Sequence, residues 1–201
     1  MIINRAAVYL LVTSVVLSAS ASCFSQDLNK FNVYTERTAR DNHYYPSGWM
    51  GDWGDIKLDA GCKEKPHSGQ TCVKIIYTAE QKQGAGWAGM YWQNPPNNWG
   101  NEKGGYDLTG ATRVVFWARG ANGGEKIAEF KIGGITGEFA DTDSASIDNI
   151  ILTREWNQYS IDLKKLNLSH ISGGFCWSAN AQDNPEGFTI YLDDIYFEKT
   201  D

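Results

Sequence analysis

The sequence predicts an all-β protein, a two-sheet antiparallel β-sandwich of the jelly-roll type with about ten strands. Three observations lead to this prediction. Short segments with period-two alternation recur along the chain, glycine accounts for 21 of the 201 residues, and the one helical pattern, at 164–169, is too short for a stable helix. Short strands divided by turn residues are typical of sandwiches and barrels, so a helical bundle is excluded.

The predicted strands follow one another at short intervals, and each is supported by its own pattern. The first two alternate, the third is rich in β-branched residues, the fifth is an apolar run bounded by glycine, and the last is the longest. Their ranges are 31–36, 55–59, 71–78, 87–93, 112–119, 126–132, 149–152, 156–163, 174–177 and 188–197. The two longest connections, 94–110 and 133–148, are predicted as loops. The first of these loops, 94–110, contains two prolines and four asparagines. A loop of this length without secondary structure is uncommon in a compact domain unless it binds something.

Residues 1–25 have the composition of a secretory signal, which leaves a single domain at 26–201. Arg5 precedes an apolar run that is short for a membrane span, and small residues follow it. Cleavage is expected before Ser22 or before Gln26. Alternatively, Cys23 resembles the lipidated cysteine of a bacterial lipoprotein, although Ser20 stands where leucine is usual. We therefore expect a secreted, periplasmic or cell-surface protein, with no transmembrane span and with a possible lipid anchor at Cys23.

Export is compatible with disulfide formation, and Cys62 and Cys72 bracket a short loop that contains Pro66. A loop of this kind can bring the two cysteines within bonding range, so we predict a Cys62–Cys72 disulfide. A zinc site formed by the two cysteines and His67 is the alternative, but the number and spacing of these ligands are poor for structural zinc. Cys176 is then a buried small apolar residue.

The charge balance limits the class of partner. The formal net charge is −6 and the positive residues form no cluster. Such a surface repels phosphate groups, which argues against nucleic acid and favours a neutral polymer.

The segment 86–100 is the strongest candidate for a binding site, because it places large rings beside a polar loop. Its candidate ligand-binding residues are Trp87, Tyr91, Trp92, Gln93, Asn97 and Trp99, and Trp177 in 175–180 adds a second aromatic and amide group. Aromatic faces stack on the apolar face of a sugar ring while amides bond its hydroxyl groups. The alternative is that some of these rings fill the sandwich core. Trp49 and Trp53 either lie at the rim of the same site or cap the sandwich.

The C-terminal segment 188–198, F-T-I-Y-L-D-D-I-Y-F-E, resembles the last strand of bacterial carbohydrate-binding modules of the galactose-binding-like jelly-roll type. The segments 33–36, 108–119 and 152–163 fit the same family, and the resemblance spans roughly residues 30–198. It implies the jelly-roll fold and carbohydrate binding. It also implies a structural Ca²⁺ between the first and last strands, which assigns Glu36 and Asp193 or Asp194 as ligands, with Asp41 as a further candidate.

Together these observations predict non-catalytic binding of a neutral polysaccharide such as a β-glucan. A secreted protein-interaction or adhesion domain would use the same fold with aromatic hot spots. A small jelly-roll glycoside hydrolase is the third class, but the sequence lacks an E-x-D-x-E pattern, and its three histidines lie in dissimilar loops.

Overall fold

The computed structural model describes residues 30–200, so the predicted signal segment, including Arg5 and Cys23, lies outside the described residues. This part of the chain forms eleven β-strands and one 3-10 turn at Trp53–Asp55. The strands are β1 (Phe31–Tyr34), β2 (Tyr45–Gly51), β3 (Ile56–Cys62), β4 (Cys72–Tyr77), β5 (Trp87–Gln93), β6 (Arg113–Gly120), β7 (Lys126–Gly133), β8 (Ser144–Ile151), β9 (Asn157–Asp162), β10 (Gly173–Asn180) and β11 (Phe188–Glu198). Within residues 30–200, no helix is long and apolar enough to cross a membrane.

The strands form two antiparallel sheets, which confirms the predicted two-sheet sandwich. The six-stranded sheet has the order β3-β4-β11-β6-β9, and β1 pairs with the C-terminal half of β11. The five-stranded sheet has the order β2-β5-β10-β7-β8. Because β11 is eleven residues long, it pairs with β4 along its first half and with β1 along its second.

The core lies between the two sheets and is built largely from aromatic rings. Trp92 and Phe175 from the five-stranded sheet meet edge to face at 5.7 Å between ring centroids. Phe116 of the six-stranded sheet reaches across to Phe130 at 4.7 Å and to Phe175 at 5.0 Å. Since side chains alternate along a strand, these inward rings fix which residues of the same strands face outward.

Two strands differ from the sequence prediction, and both are edges of the five-stranded sheet. Residues 45–51 were not predicted as a strand, because Pro46, Gly48 and Gly51 are turn-forming residues. An edge strand tolerates them, since one side of its backbone needs no partner. The loop predicted at 133–148 is wrong over its last part, because β8 begins at Ser144. Its outward positions are serine and aspartate, which obscure the strand pattern.

Candidate functional site

The candidate site is the surface of the five-stranded sheet that faces away from the core, here called the outer face. On β5 the residues Ala88, Met90 and Trp92 belong to the core, so Trp87 and Tyr91 point to the outer face. The same alternation on β10 turns Phe175, Trp177 and Ala179 inward and leaves Cys176, Ser178 and Asn180 outward.

The strand register arranges the outer face as rows that run across the strands. The central row consists of Met50, Gly89, Ser178, Glu129 and Asp148, each directly opposite the next on the neighbouring strand. Directly opposed residues share a face of the sheet, so these five lie side by side.

The middle of this row, here called the floor, consists of Gly89 and Ser178. It is lower than its surroundings because both side chains are small. A Cβ atom added at Gly89 would meet the Trp177 carbonyl oxygen at 2.7 Å and the Met50 methyl group at 3.1 Å. The backbone at Gly89 is therefore too closely packed for a larger residue.

Two exposed indoles stand on either side of the floor. Trp87 begins β5 with 40% of its surface exposed, and Trp99 is 43% exposed on the loop that follows β5. Trp99 lies against Tyr91, edge to face, with the ring centroids 6.0 Å apart. Trp87 and Tyr91 are four residues apart on one strand, which separates the two aromatic positions by about 13 Å.

The loop that carries Trp99 is held by its own amides. Asn98 is fully buried, and its side-chain oxygen accepts the backbone N–H of Gly100 at 2.9 Å. Gln93 donates its side-chain amide to the Asn98 carbonyl at 2.8 Å and accepts the Ser47 hydroxyl at 3.1 Å. These contacts hold the loop on the end of β5 without help from a ligand.

A second loop, residues 134–143, packs against the Trp99 loop. Gly100 has φ +83°, and a Cβ atom there would lie 2.0 Å from the Thr136 carbonyl oxygen, so the approach requires glycine. Phe139 donates its backbone N–H to the Gly100 carbonyl at 2.9 Å. The Tyr91 hydroxyl donates to the Gly133 carbonyl at 3.0 Å, and burial strongly raises the pKa of Tyr91, so this donor stays protonated.

Charged side chains complete the outer face beside the floor. Lys131 Nζ lies 3.9 Å from Glu129 Oε1, and both side chains are partly buried. Asp148, on the edge strand β8, is exposed. The thiol of Cys176 lies between Tyr91 and Lys131 in the next row and is buried, which raises its pKa. Sequence patterns do not place these acids and this lysine in the binding site, because only the strand register brings them beside the tryptophans.

The structure separates the predicted ligand-binding residues into three groups. Trp92 and Trp177 are 1% and 0% exposed, so their prediction as ligand contacts is corrected: both fill the core. Tyr91 and Gln93 are also buried, on the outward side, and support Trp99 and its loop instead of offering a free surface.

Three of the predicted residues remain accessible. Trp87 and Trp99 are described above, and Asn97 is exposed at the tip of the Trp99 loop. Asn97 has φ +62° and donates its backbone N–H to the Ser47 hydroxyl at 2.9 Å, and its side-chain amide makes no hydrogen bond within residues 30–200. Trp49 and Trp53 are 39% and 54% exposed, so neither is fully covered by the sandwich.

The two cysteines predicted to form a disulfide lie directly opposite each other, at the end of β3 and the start of β4. Both are buried, and both thiols are free in this structure. Burial and the neighbouring Cys62 raise the pKa of Cys72 to about 12. The alternative zinc site does not form, because His67 Nδ1 lies 2.8 Å from Asp194 Oδ2 and no group of three or more His, Cys, Asp or Glu residues within 30–200 is arranged to hold a metal.

The carboxylates predicted to bind calcium divide into a cluster and an outlier. Glu36, Asp193 and Asp194 all contact the β3–β4 loop. Glu36 accepts the Thr71 hydroxyl, and Asp193 accepts the backbone N–H of His67 at 2.9 Å. Asp41 instead accepts a hydrogen bond from the side-chain amide of Asn32 at 2.6 Å. This bond does not connect it to the β3–β4 loop or to the other three acids.

The negative charge of the three clustered carboxylates suits a cation, but the hydrogen bonds that they make do not. Asp193 is fully buried, and burial together with the charge of Asp194 raises its pKa to about 6. Among residues 30–200, the only basic side chain bonded to these two acids is the His67 imidazole. However, these carboxylates are not among any group of three or more His, Cys, Asp or Glu residues arranged to hold a metal within 30–200. Backbone and hydroxyl donors already occupy oxygens of Glu36 and Asp193, so an ion would have to rearrange these bonds.

No protein-family model matches the sequence, and no curated protein matches it. Solved structures do. A crystal structure of a family 30 carbohydrate-binding module has 15% sequence identity and a TM-score of 0.58, covering 86% of this chain and 88% of that one. The family 30 module of a cellulosomal cellulase of Clostridium thermocellum has 13% identity and a TM-score of 0.59, covering 86% and 98%. The chain therefore has the fold of these modules, as the resemblance of its C-terminal strand implied.

Proposed function

We propose that this protein binds a neutral polysaccharide without catalysis, across the outer face of the five-stranded sheet. The observation that carries the proposal is the pair of exposed indoles, Trp87 and Trp99, on either side of the floor formed by Gly89 and Ser178. An extended chain can lie on such a floor while its sugar rings meet the indoles. The site is open and largely preformed, as expected for a polymer that continues beyond it.

The contacts available suit sugar rings. A pyranose presents an apolar C–H face to an indole, and its hydroxyl groups need donors and acceptors. Glu129, Lys131 and Asp148 supply these at the floor, and Asn97 at the rim. Two acids with one base give no net positive charge, which disfavours polyanionic chains and supports a neutral one.

A β-glucan is the ligand class that we propose first. The Clostridium thermocellum module with the same fold belongs to a cellulase, and a β-linked glucan offers flat, repeating apolar faces to stacked rings. Affinity should be modest, because each sugar makes few contacts and binding must offset the lost freedom of both partners.

Retention on polysaccharides tests the proposal. We expect wild-type protein to be retained on at least one neutral glucan, and Trp87→Ala or Trp99→Ala to weaken binding by about tenfold or more, the usual effect of truncating a hot-spot aromatic residue. Trp53→Ala is the comparison variant, because Trp53 is exposed and belongs to the 3-10 turn that follows β2 instead of to a strand of the sheet. Folded wild-type protein that binds no glycan would contradict the proposal.

A protein-binding or adhesion role is the competing class, and the same variants separate it. A protein partner that docks on the outer face would lose affinity in Trp87→Ala, while the folded wild-type protein would be retained on no glycan.

One observation favours a second candidate, a glycoside hydrolase. Glu129 and Asp148 are directly opposite on β7 and β8 and share the outer face. Opposed residues have Cβ atoms about 4.5–5.5 Å apart, and retaining hydrolases hold two carboxyl groups at a similar separation. We favour binding because Lys131 already pairs with Glu129. Reducing-sugar release that is abolished in both Glu129→Gln and Asp148→Asn would establish hydrolysis instead.

We further propose that the protein is exported, that Cys62 and Cys72 become oxidised to a disulfide after export, and that Ca²⁺ binds near Glu36, Asp193 and Asp194. The signal-like residues 1–25 support the first proposal. The directly opposed cysteine positions support the second. The third is supported by three acids that contact one loop. Tests of the disulfide and the calcium site are given in the Discussion.

A further inference from the structure

The loop that leads into β5, residues 79–86, is anchored by a buried carboxylate. Asp52 precedes the 3-10 turn and is fully buried. Its Oδ1 atom accepts the backbone N–H groups of Gln83 and Ala85, both at 2.9 Å, and its Oδ2 atom accepts the backbone N–H of Gly86 at 2.7 Å. The loop therefore wraps around this side chain in the way that a nest of backbone N–H groups surrounds a bound anion.

The same aspartate also holds the backbone of Trp87, one of the two exposed indoles. The Asp52 N–H donates to the Trp87 carbonyl at 2.7 Å, and the Asp52 carboxylate accepts the Gly86 N–H. Asp52 thus bonds the chain on both sides of the Trp87 Cα atom. The Gly86 carbonyl accepts the Ala181 N–H at 2.9 Å. Together these bonds fix the direction in which β5 begins.

The indole of Trp87 lies against the residue that precedes Asp52. A Cβ atom added at Gly51 would be 3.0 Å from Trp87 Cδ2 and 2.2 Å from the Trp87 carbonyl oxygen, and Gly51 has φ +60°. The ring therefore contacts the bare backbone of the edge strand β2, while 40% of the surface of Trp87 stays exposed. The dipeptide Gly51–Asp52 both supports the ring and holds its backbone.

The conformation of the loop 79–86 depends on such contacts. Besides its glycines, Ala79 and Gln81 lie in the left-handed region, each with φ +55°. Residues with a Cβ atom persist there only where their surroundings hold them. Asp55 accepts the Gln81 N–H at 2.7 Å and so holds the first part of the loop, while Asp52 holds the part next to β5.

A carboxylate suits the position of Asp52 because all three groups bonded to it there are N–H donors. Burial opposes its ionisation, but the backbone N–H groups outweigh this effect and hold the pKa of Asp52 below its usual value. An asparagine has one oxygen and one NH₂ group at these positions. If its oxygen keeps the bonds to Gln83 and Ala85, its NH₂ group faces the Gly86 N–H, and the bond next to Trp87 is lost.

We propose that Asp52 is a positioning residue for the glycan site, which holds the Trp87 indole on the outer face before the ligand arrives. This inference rests on the proposed glycan binding. A ring that is already held loses less freedom on binding, so its contact with a sugar contributes more to affinity. Asp52 is buried and does not need to touch the ligand to have this effect.

A double-mutant cycle tests the proposal, with calorimetric titration of cellohexaose as the probe. We expect Asp52→Asn to weaken binding by about three- to tenfold, the effect of losing roughly one hydrogen bond. In a Trp87→Ala background the same substitution should have no further effect, because no ring is left to position. In a Trp99→Ala background it should keep its full effect.

Asp55→Asn is the matched control. Asp55 is also fully buried in the same turn, but it bonds Gln81 and not the residues that flank Trp87. An asparagine oxygen can still accept the Gln81 N–H, so this variant should bind as the wild type does. Thermal unfolding verifies that each variant is folded.

Gly86→Ala provides a second route if Asp52→Asn does not fold. A Cβ atom at Gly86 would have Gln81 Oε1, at 4.0 Å, as its nearest neighbour among residues 30–200. The strain then comes from the left-handed φ of +77° alone. This variant should show the same loss of affinity and the same dependence on Trp87.

Normal binding by folded Asp52→Asn, or an equal loss in the Trp87→Ala background, would overturn the proposal. NMR of the indole N–H groups gives a readout that does not need the ligand. In the free protein, Asp52→Asn should shift or broaden the Trp87 indole signal and leave the Trp99 signal in place. If the wild-type protein binds no glycan, the proposed function fails while these signals still decide the role of Asp52. A Trp87 signal that is unchanged in Asp52→Asn refutes the positioning role itself.

Discussion

At the scale of single residues, the outer face depends on small side chains as much as on large ones. The alternation in 87–93 predicts correctly that one set of rings faces the core and the other faces out. The pattern does not say which set is which, because both contain aromatic residues. The neighbouring strand β10 shows which set faces the core. Its residues Phe175 and Trp177 pack with Trp92 in the core, so Gly89 and Ser178 lie opposite each other on the outer face.

The substitution Ser178→Leu should abolish glycan binding without unfolding the protein. Ser178 is half-buried at the centre of the floor, and a leucine there would raise the floor between Trp87 and Trp99 and exclude a sugar ring. Retention on the best-binding glucan measures the loss, and thermal unfolding checks the fold. Ser160→Leu, on the exposed side of β9, is the matched control and should bind normally. Normal binding by Ser178→Leu would show that the ligand does not bind at the floor.

At the scale of elements, the strands that the sequence predicts best are those with a buried face, such as β4, β6 and β11. The edge strand β2 escapes prediction, and the edge strand β8 is predicted only over its last residues, for physical reasons. β2 contains Pro46 and Gly48, which a central strand rejects, and β8 presents serine and aspartate to solvent. Yet these two strands supply Met50 and Asp148, the ends of the central row. The rim of a site on a sheet is thus the part that sequence patterns predict least.

The β3–β4 hairpin gives the second prediction at this scale. In protein exported to an oxidising compartment, we expect Cys62 and Cys72 to be bonded and Cys176 to be a free thiol. The closed loop of eleven residues would add roughly 2–3 kcal/mol to the free energy of unfolding. Alkylation of the unreduced, denatured protein followed by mass spectrometry identifies the pair, and urea unfolding with and without reductant measures the gain.

Serine substitutions control the cysteine experiment. Cys62→Ser should remove the effect of reductant, while Cys176→Ser should keep it, because the Cys176 thiol is buried under the outer face away from the hairpin. Alkylation of Cys62, Cys72 and Cys176 in exported, unreduced protein would refute the disulfide.

At the scale of the whole molecule, the sandwich is predictable and the site is not. Period-two patterns and turn residues are local, so ten strands and their two-sheet packing follow from short segments. The proposed binding face is assembled by contacts between distant segments: Gly100 meets Thr136, and His170 reaches Gly104 and Ala140. No local sequence pattern predicts these contacts between distant segments. The sequence therefore predicts Trp99 as a loop residue of the proposed site, but not the loops and charges around it.

Calcium should act on this same global scale, because its proposed ligands join three distant parts of the chain. Glu36 follows β1, Asp193 and Asp194 lie in β11, and the β3–β4 loop packs between them. The packing is close: Gly69 has φ +57°, and a Cβ atom there would overlap Glu36 Oε1. An ion at this junction would bind only the folded chain and would neutralise acids that now repel one another.

Thermal unfolding measures the calcium effect directly. An ion present at about a hundredfold above its dissociation constant adds about 2.7 kcal/mol to the free energy of unfolding. For a domain of this size, that corresponds to a melting temperature roughly 5–10 °C higher than in chelator. Asp193→Asn should abolish the difference, because it removes the buried carboxylate that the ion would neutralise. Asp41→Asn should preserve it, since Asp41 bonds Asn32 and not the cluster. Equal melting temperatures with calcium and with chelator would instead mean that the hydrogen bonds of the β3–β4 loop alone stabilise the three carboxylates.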